Sequence, residues 1–393
     1  MYTGQTVPNH LTERLAEPPM TDTQLNPSQD RKDRLSAVLE WDWGTAYDFL
    51  LSLHAIFRPK EYGLPAPWAA GVRKRLSPQA QQHLKDFFSP PFALATYLPV
   101  HLILQMDPPK DVAPFLDYME AIPDDEFSRR MHITFWSDTP HARVMNRALA
   151  GEQMGDADVE DYRRTIGQSI VSNTPSVAEV RRLFANIADP TATKQRWLAV
   201  MREYHAAYFA EEERRERPVL QRMLRQAQEL SSKVSVPDLI ERLSNGFTIS
   251  EDIDLQRLVL VPSIWAHPYV VRLELTDREL MVVWGAHPTG YKLVPGESVP
   301  DEALLVLRAL SDPTRLRLLR LIAAEPRSLQ SLAQEVKLSL PTVSHHIREL
   351  RSAGLIRLEV AGKGRETQYT VRWPSAQRAF QELEDFVLPD GDA

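Results

Sequence analysis

The stretch SLPTVSHHIRELRSAG, residues 339–354, places His345 and His346 side by side in a predicted helix. Two imidazoles could hold a metal ion, form a catalytic pair, or donate hydrogen bonds to the base edges and phosphates of DNA. Residues on one face of a helix are three or four positions apart, whereas neighbours are separated by about 100° around the axis. The chain has no cysteine that could complete a metal site. We therefore expect a DNA-reading surface and no metal site.

The other residues of this predicted helix agree with that interpretation. Val343, Ile347 and Leu350 have the spacing of an inward apolar stripe. Small hydroxyls, an imidazole and a guanidinium then face outward near the N-terminus, where short side chains permit close approach to a major groove. The predicted DNA-binding residues of this helix are Ser339, Thr342, Ser344, His345, His346 and Arg348, with His346 towards one flank. Two alternatives stay open: a solvated helix face, or a His346 packed at the edge of the core.

A second pair of cations follows in the stretch GKGR, residues 362–365. Lys363 and Arg365 lie at the tip of a predicted two-stranded hairpin. Its glycines allow close approach to DNA, and the cations would neutralise phosphate along the backbone or in the minor groove. A charged hairpin tip is also commonly just solvated, and this alternative stays open.

The elements around these residues follow a definite order. PDEALLVLRAL predicts one helix, and Ser311 or Asp312 can cap a second helix with Pro313 in its first turn. SLQSLAQEVKL predicts a third helix, and the helix with the two histidines is the fourth. LIRLEVAGKGRETQYTVR then predicts two strands, and SAQRAFQELEDFVL predicts a closing helix. A helix, a helix-turn-helix and a hairpin in this order predict a winged helix-turn-helix domain.

The segments ALSDPTRLRLLRLI, LAQEVKLSLPTVSHHIRELRSAGLI and GKGRETQYTV resemble the winged-helix domain of ArsR-type bacterial transcription regulators. The resemblance covers about Ala303 to Arg372. It implies a cytoplasmic homodimer that binds an inverted-repeat operator in double-stranded DNA, usually as a repressor. In that family the helices flanking the domain form the dimer, here Ala303–Leu310 and Ser375–Val387. Half-sites about one DNA turn apart would follow from such a dimer.

Two metal sites known in that family do not match this sequence. Metal-sensing relatives carry a Cys-x-Cys motif where Ser328 and Gln330 stand here, and this chain has no cysteine at all. Other relatives bind zinc through Asp, His and Glu on the closing helix, which here offers Glu382, Glu384 and Asp385 but no histidine. We therefore expect no metal, no cofactor and no metal sensing by these routes.

Charge is distributed unevenly along the 393 residues. The net charge is −7, yet Ser311–Trp373 holds eleven Arg and Lys against six Asp and Glu, an excess of five positive charges on a short module. The rest of the chain therefore carries an excess of twelve negative charges. A local basic surface is what phosphate binding requires. No apolar run is long enough to span a membrane and the start shows no secretion pattern, so we expect a cytoplasmic protein whose natural start could be Met1 or Met20.

The expected fold class is mainly α with a small β element: a helical N-terminal domain plus a C-terminal winged helix-turn-helix domain. The predicted boundaries are 1–33 for a disordered tail, 34–250 for the helical domain, 251–300 for a small β element with a linker, and 301–393 for the winged domain and its flanking helices. The helical domain is expected to sense a small molecule or partner, or to dimerise.

The N-terminal part offers little recognisable chemistry, because it lacks a phosphate loop and the HExxH and GxSxG motifs. Asp124, Asp125, Glu126 and His132 form one group, for which a solvated helix start is the plainer explanation. A second group, at the ends of neighbouring predicted strands, could share a ligand but is more typical of turn packing: Trp265, His267, Trp284 and His287. Aromatic residues in the first predicted helix could line an apolar pocket, although core packing is more usual: Trp41, Trp43, Tyr47, Phe49 and Phe57.

Three functions therefore remain: a ligand-responsive regulator, a constitutive or architectural DNA-binding protein, and an enzyme fused to a DNA-binding module. We expect the first and predict no catalytic residues.

Overall fold

The structure is a computed structural model. It describes residues 34–62, 64–88, 99–132, 140–169, 174–244, 246–250, 253–267, 270–285, 301–360, 367–373, 377, 380 and 381. The predicted tail at 1–33, the hairpin tip with Lys363 and Arg365, His287, and most of the closing helix lie outside the described residues.

The N-terminal part is built mainly from helices, which confirms the predicted fold class. The first six are α1 (Thr45–Phe57), α2 (Ala66–Lys74), α3 (Pro78–Phe88), α4 (Val100–Ile103), α5 (Val112–Ala121) and α6 (Asp124–Met131). The next six are α7 (Pro140–Leu149), α8 (Asp156–Ser169), α9 (Val177–Ala188), α10 (Pro190–Tyr204), α11 (Ala210–Ser231) and α12 (Val236–Leu243). A short 3₁₀ turn at Pro59–Tyr62 follows α1. No helix among the described segments combines the length and the apolar character needed to cross a bilayer.

Helices α10 and α11 are joined by a single π-helical turn, His205–Phe209. The sequence predicts two long helices here, or one helix interrupted near Pro218. In the structure Pro218 lies inside α11, and the irregularity falls at the π turn instead. A π turn inserts one residue into the helical repeat and so changes which side chains share a face.

A four-stranded sheet packs into this helical body. Its strands are β1 (Leu39–Trp41), β3 (Arg257–Ser263), β4 (Val270–Thr276) and β5 (Glu279–Gly285), in the order β1-β3-β5-β4. Strands β4 and β5 form a hairpin and pair antiparallel, and β3 pairs parallel with both of its neighbours. Residues from β3 and β5 belong to the same buried apolar cluster as the helices. The strands therefore form part of the N-terminal body's own core.

Strand β1 differs from the helical pattern that the sequence predicts from residue 34. Leu39, Glu40 and Trp41 pair with Leu258, Val259 and Leu260. The ring of Trp41 meets that of Trp284 edge to face, with the centroids 5.9 Å apart. The local helical pattern is overridden here. As a strand, residues 39–41 gain backbone hydrogen bonds to the edge of β3, and Trp41 gains contact with the buried ring of Trp284.

The C-terminal part is a winged helix-turn-helix, as predicted. It contains α13 (Asp301–Leu310), α14 (Pro313–Ala324), α15 (Leu329–Val336), α16 (Leu340–Ser352), β6 (Ile356–Val360) and β7 (Gln368–Val371). The four helices and the hairpin share one apolar core. A seventh strand, β2 (Phe247–Ile249), belongs to the N-terminal part but pairs with β6, giving a three-stranded sheet in the order β2-β6-β7.

Candidate nucleic-acid interface

The helix with the two histidines, α16, is positioned by local signals in the sequence. The hydroxyl of Ser339 caps its N-terminus, accepting from the Thr342 amide at 3.4 Å, while the two hydroxyl oxygens lie 2.7 Å apart. Pro341 occupies the first turn, where its missing amide costs no hydrogen bond. Lys337 ends α15 in the left-handed conformation, with φ 58°, and so turns the chain from α15 into α16.

One face of α16 is fixed in the core and the other is open. Val343, Ile347 and Leu350 are buried, as the apolar stripe predicts. The opposite side exposes a row of small and polar side chains near the N-terminus: Ser339, Thr342, Ser344 and His345. The first turns of α16 are therefore accessible in this conformation of the chain.

His345 and Arg348 form a pair at this exposed end. The Arg348 Nη2 atom lies 3.0 Å from His345 Nδ1. A guanidinium can only donate, so Nδ1 accepts and the neutral imidazole carries its proton on Nε2. His345 therefore presents an N–H donor to its surroundings, and Arg348, which is half-buried, is held against it. Both groups suit the acceptor atoms of guanine and thymine in a major groove.

His346 lies apart from this pair. Its side chain is 14% exposed, and its Nδ1 is 4.0 Å from Asp312 Oδ1 at the start of α14. Asp312 caps α14 by accepting from the amides of Thr314 and Arg315, and these bonds lower the pKa of its carboxyl. Burial lowers the pKa of His346. Of the six residues predicted here, His346 turns towards the domain's interior and Arg348 is half-buried, whereas the other four are exposed.

The wing hairpin is joined to the N-terminal body along one edge. Phe247, Thr248 and Ile249 pair in parallel with Leu358, Glu359 and Val360, and the Leu358 amide donates to the Gly246 carbonyl at 3.0 Å. We call this contact the β2–β6 joint.

The charged groups at the β2–β6 joint are complementary. Glu241, near the end of α12, accepts from Arg357 at 2.6 Å and lies 3.6 Å from Arg372 Nε. Arg357 also donates to the Thr370 hydroxyl at 3.1 Å. Sequence reasoning missed the joint because its strand has only three residues. The one signal was the run FTI directly after Asn245-Gly246.

Two comparisons with protein families cover most of the chain. A family of unknown function, DUF5937, matches residues 47–286. A helix-turn-helix domain family matches residues 310–359, the segment that holds α14, α15 and α16.

Three similar proteins are regulators. The uncharacterised HTH-type transcriptional regulator MJ0229 of Methanocaldococcus jannaschii is 36% identical over 56 residues, which is 14% of this chain and 59% of that protein. A second regulator of that organism, MJ1325, is 33% identical over 63 residues, 16% of this chain and 71% of its own length. A transcriptional repressor SmtB homolog of Synechocystis is 34% identical over 79 residues, 20% of this chain and 58% of that repressor. The chain thus spans about three-fifths of the first and third of these proteins.

The chain belongs to the ArsR-type helix-turn-helix transcriptional regulators, and its N-terminal part belongs to the DUF5937 family. The sequence resemblance is thereby confirmed. The large N-terminal part of this ArsR-type regulator coincides with the helices and the four-stranded sheet described above.

The predicted strand-end group of the regulator is packed. Trp265 and His267 are buried, and a Cβ on Gly285 would lie 2.0 Å from the His267 amide nitrogen. Burial lowers the pKa of His267 to about 4, although a bond to the Gly285 backbone opposes this shift. The His267 imidazole is thus neutral, and its residue packs closely against Gly285 of β5.

The predicted group of acidic residues and His132 at α6 does not form a common site. Asp124 pairs with Lys194 at 2.8 Å, and Glu126 approaches Arg130 at 4.0 Å. His132 is buried, with its Nδ1 2.6 Å from the Ser128 carbonyl oxygen. Within the described part of the regulator, no group of three or more His, Asp or Glu side chains is arranged to hold a metal ion.

A cavity of about 740 Å³ opens between α6, α9 and the α7–α8 connection. Its lining includes Arg129, Met154 and Phe184. The early aromatic residues belong instead to the core, where the Phe49 ring packs against the rings of Tyr204 and Phe209 at 5.5 and 5.3 Å.

Proposed function

We propose that this regulator is a cytoplasmic bacterial repressor that binds an inverted-repeat operator as a homodimer. The observation that carries the proposal is the exposed N-terminal end of α16, where Arg348 orients the imidazole of His345. In this proposal His345 and Arg348 contact base edges, while Ser339, Thr342 and Ser344 allow close approach and contact phosphates. His346 supports the end of α16 from its place beside Asp312.

The wing takes part through its two cations in this proposal. Lys363 and Arg365 neutralise phosphate beside the recognition helix α16, which adds affinity without adding sequence preference. The excess of positive charge between Ser311 and Trp373 supports this arrangement.

Apolar side chains support a dimer of the winged domain. Leu307 on α13 is 40% exposed, Leu316 on α14 is 48% exposed, and Phe380 is 46% exposed. Two of these, Leu307 and Phe380, stand on the segments that the family resemblance assigns to dimerisation. In the proposed dimer a second copy of the chain covers them, which places two α16 helices about one DNA turn apart.

The N-terminal body acts as the sensor in this proposal. The β2–β6 joint fastens it to the wing through backbone pairing and the Glu241–Arg357 ion pair. A ligand that changes the position of α12 would therefore change the position of the hairpin. A coupling of about 1–3 kcal/mol is sufficient for a switch of this kind.

A DNA selection on fragments of the source genome tests the proposal. We expect the full chain to retain fragments that share an inverted repeat, and the double variant His345→Ala/Arg348→Ala to lose that preference while still binding DNA weakly. Loss of binding to all fragments alike, with the fold intact, would contradict base reading by this pair.

A constitutive DNA-binding protein is the second candidate, and the exposed α16 alone would suit it equally well. The β2–β6 joint favours the regulator, because an architectural protein does not require its body to be fastened to the wing. A fused enzyme is the least favoured, because the acidic group at α6 and the strand-end group are engaged in pairs and packing.

A further inference from the structure

A buried carboxylate in the N-terminal body has one oxygen without a hydrogen-bond partner. Glu216 on α11 has no exposed surface. Its Oε1 accepts from the indole Nε1 of Trp265 at 2.6 Å, while its Oε2 is buried and makes no hydrogen bond to any described residue. A buried carboxylate oxygen usually has a donor, and the exceptions need an explanation.

Tyr208, in the π turn just before α11, also has a buried polar atom without a hydrogen-bond partner. The hydroxyl of Tyr208 is buried and unpartnered, whereas that of the neighbouring Tyr204 bonds to Ser52 Oγ at 2.8 Å. Tyr208 lies within the π turn His205–Phe209, two helical turns before Glu216. Such turns occur frequently at functional sites, because the extra residue redirects side chains that a regular helix would place elsewhere.

Aromatic rings lie beside these two groups. The Trp68 ring is stacked on the fully buried Trp265, with the centroids 5.8 Å apart and the planes inclined by 21°. The same Trp68 meets Tyr208 edge to face at 6.2 Å. Trp68 itself is half-buried, on the short helix α2, and reaches the solvent. Because Trp68 is the partly exposed ring of this stack, a flat ligand ring could take its place on Trp265.

Two buried carboxyl groups lie at the centre of this region. Asp48 is fully buried and accepts from the amides of Ile264 and Trp265 at 3.1 and 3.3 Å, and from the Ser263 hydroxyl. Burial and the nearby Asp48 raise the pKa of Glu216 well above its ordinary value, and Glu212 acts in the same direction. Two cations lie towards the rim: Arg215, which pairs with Glu212, and Arg75, whose guanidinium carbon is 5.8 Å from the centre of the Tyr208 ring.

We propose that Glu216, Tyr208 and Trp265, covered by Trp68, form a binding site for an aromatic organic cation that carries N–H donors, such as an amidinium or a protonated aryl amine. The cation donates to Glu216 Oε2 and the Tyr208 hydroxyl, and its ring stacks on Trp265 in place of Trp68. This ligand would be the effector of the proposed regulator, and that role, though not the binding itself, rests on the proposed function.

A matched pair of probes tests the site by titration calorimetry on the full chain. Benzamidine and benzamide have nearly the same shape, but only benzamidine is charged. We expect benzamidine to bind at least tenfold more tightly than benzamide. In Glu216→Gln, which keeps the acceptor for Trp265, the two affinities should agree within about twofold. Glu229→Gln makes the same substitution at an exposed position of the same helix and should retain the tenfold preference.

Proton release provides a second readout. A cation favours the ionised form of Glu216, so benzamidine binding should release a proton from this carboxyl. The measured binding enthalpy should then differ between phosphate and Tris buffers, and this difference should disappear in Glu216→Gln. Tyr208→Phe keeps the ring and removes the hydroxyl, and should weaken benzamidine severalfold while the proton release remains.

Equal affinity for the two probes, or a preference that survives in Glu216→Gln, would overturn the site. The same protein samples are then tested for DNA binding. If the chain binds its operator but shows no preference for benzamidine over benzamide, only this inference is overturned. If it prefers benzamidine but does not bind an operator, only the proposed function is overturned.

Discussion

His345 and Arg348 illustrate how two side chains one turn apart can define a donor surface. The guanidinium fixes the tautomer of the imidazole, so His345 presents an N–H donor on the exposed side of α16, while Arg348 lies half-buried beside it. The periodicity of Val343, Ile347 and Leu350 predicts which side of the helix faces out. The place of His346 beside Asp312 is a long-range contact that no local pattern reveals.

Replacing Arg348 by Ala should reduce operator affinity by about 1–3 kcal/mol, which is roughly 5- to 150-fold, because a guanidinium at a base edge carries discrimination. Binding to random DNA should change far less. Arg320→Ala removes an equal charge from an exposed position of α14 and serves as the control. Fluorescence anisotropy with operator and scrambled duplexes measures both quantities, and a similar loss on the two duplexes would refute the assignment.

Glu216 should also impose a pH dependence on stability. Its pKa is raised in the folded chain, so the folded state binds a proton more tightly than the unfolded state. The stability from this proton is present below the unfolded pKa and is lost as pH rises towards the folded value.

Glu216→Gln removes this dependence. From pH 5 to 8 the free energy of unfolding of the variant should therefore rise, relative to that of the native chain, by up to about 1.4 kcal/mol per pH unit. Urea unfolding at several pH values measures this difference, and a constant difference would show that the proton is not held there.

At the scale of elements, the β2–β6 joint is a structural link between the N-terminal body and the wing. Gly246 has φ +101°, a conformation that favours glycine, and a Cβ there would lie 2.7 Å from Arg372 Cδ and 3.3 Å from the Ile356 carbonyl oxygen. We expect Gly246→Ala to loosen the joint by about 1–2 kcal/mol or more.

Hydrogen exchange at Ile356–Val360 should report this loosening, because the Leu358 amide donates to the Gly246 carbonyl. Gly71→Ala provides the control. Gly71 lies inside α2 with open space around its Cβ position, so this change should stabilise the chain by about 0.5–1 kcal/mol and leave β6 protected. Unchanged exchange of β6 in Gly246→Ala would mean that the joint does not hold the wing.

The elements also show what local sequence patterns can predict. The helices of the winged domain have caps and an apolar repeat, so their order and the outward face of α16 could be predicted. Strands β1 and β2 have only three residues each and pair with strands far along the chain. Their own sequences therefore do not predict that they are strands. The Glu216–Trp265 bond likewise joins two segments whose proximity depends on the whole fold.

At the scale of the molecule, an acidic body carries a basic module. In the proposed complex the cations of this module release counterions from DNA, so affinity falls as salt rises. Lys363→Ala should weaken binding to all sequences similarly and reduce the slope of log affinity against log salt by about one. A slope equal to that of the native chain would remove Lys363 from the interface.

The most direct test of the central claim is genomic footprinting of the full chain beside His345→Ala/Arg348→Ala. If α16 reads DNA for a dimeric repressor, the native chain will protect a short inverted repeat with half-sites about one turn apart, and the double variant will not. Diffuse or absent protection by the native chain, or the same repeat protected by both proteins, would contradict this function for the exposed end of α16.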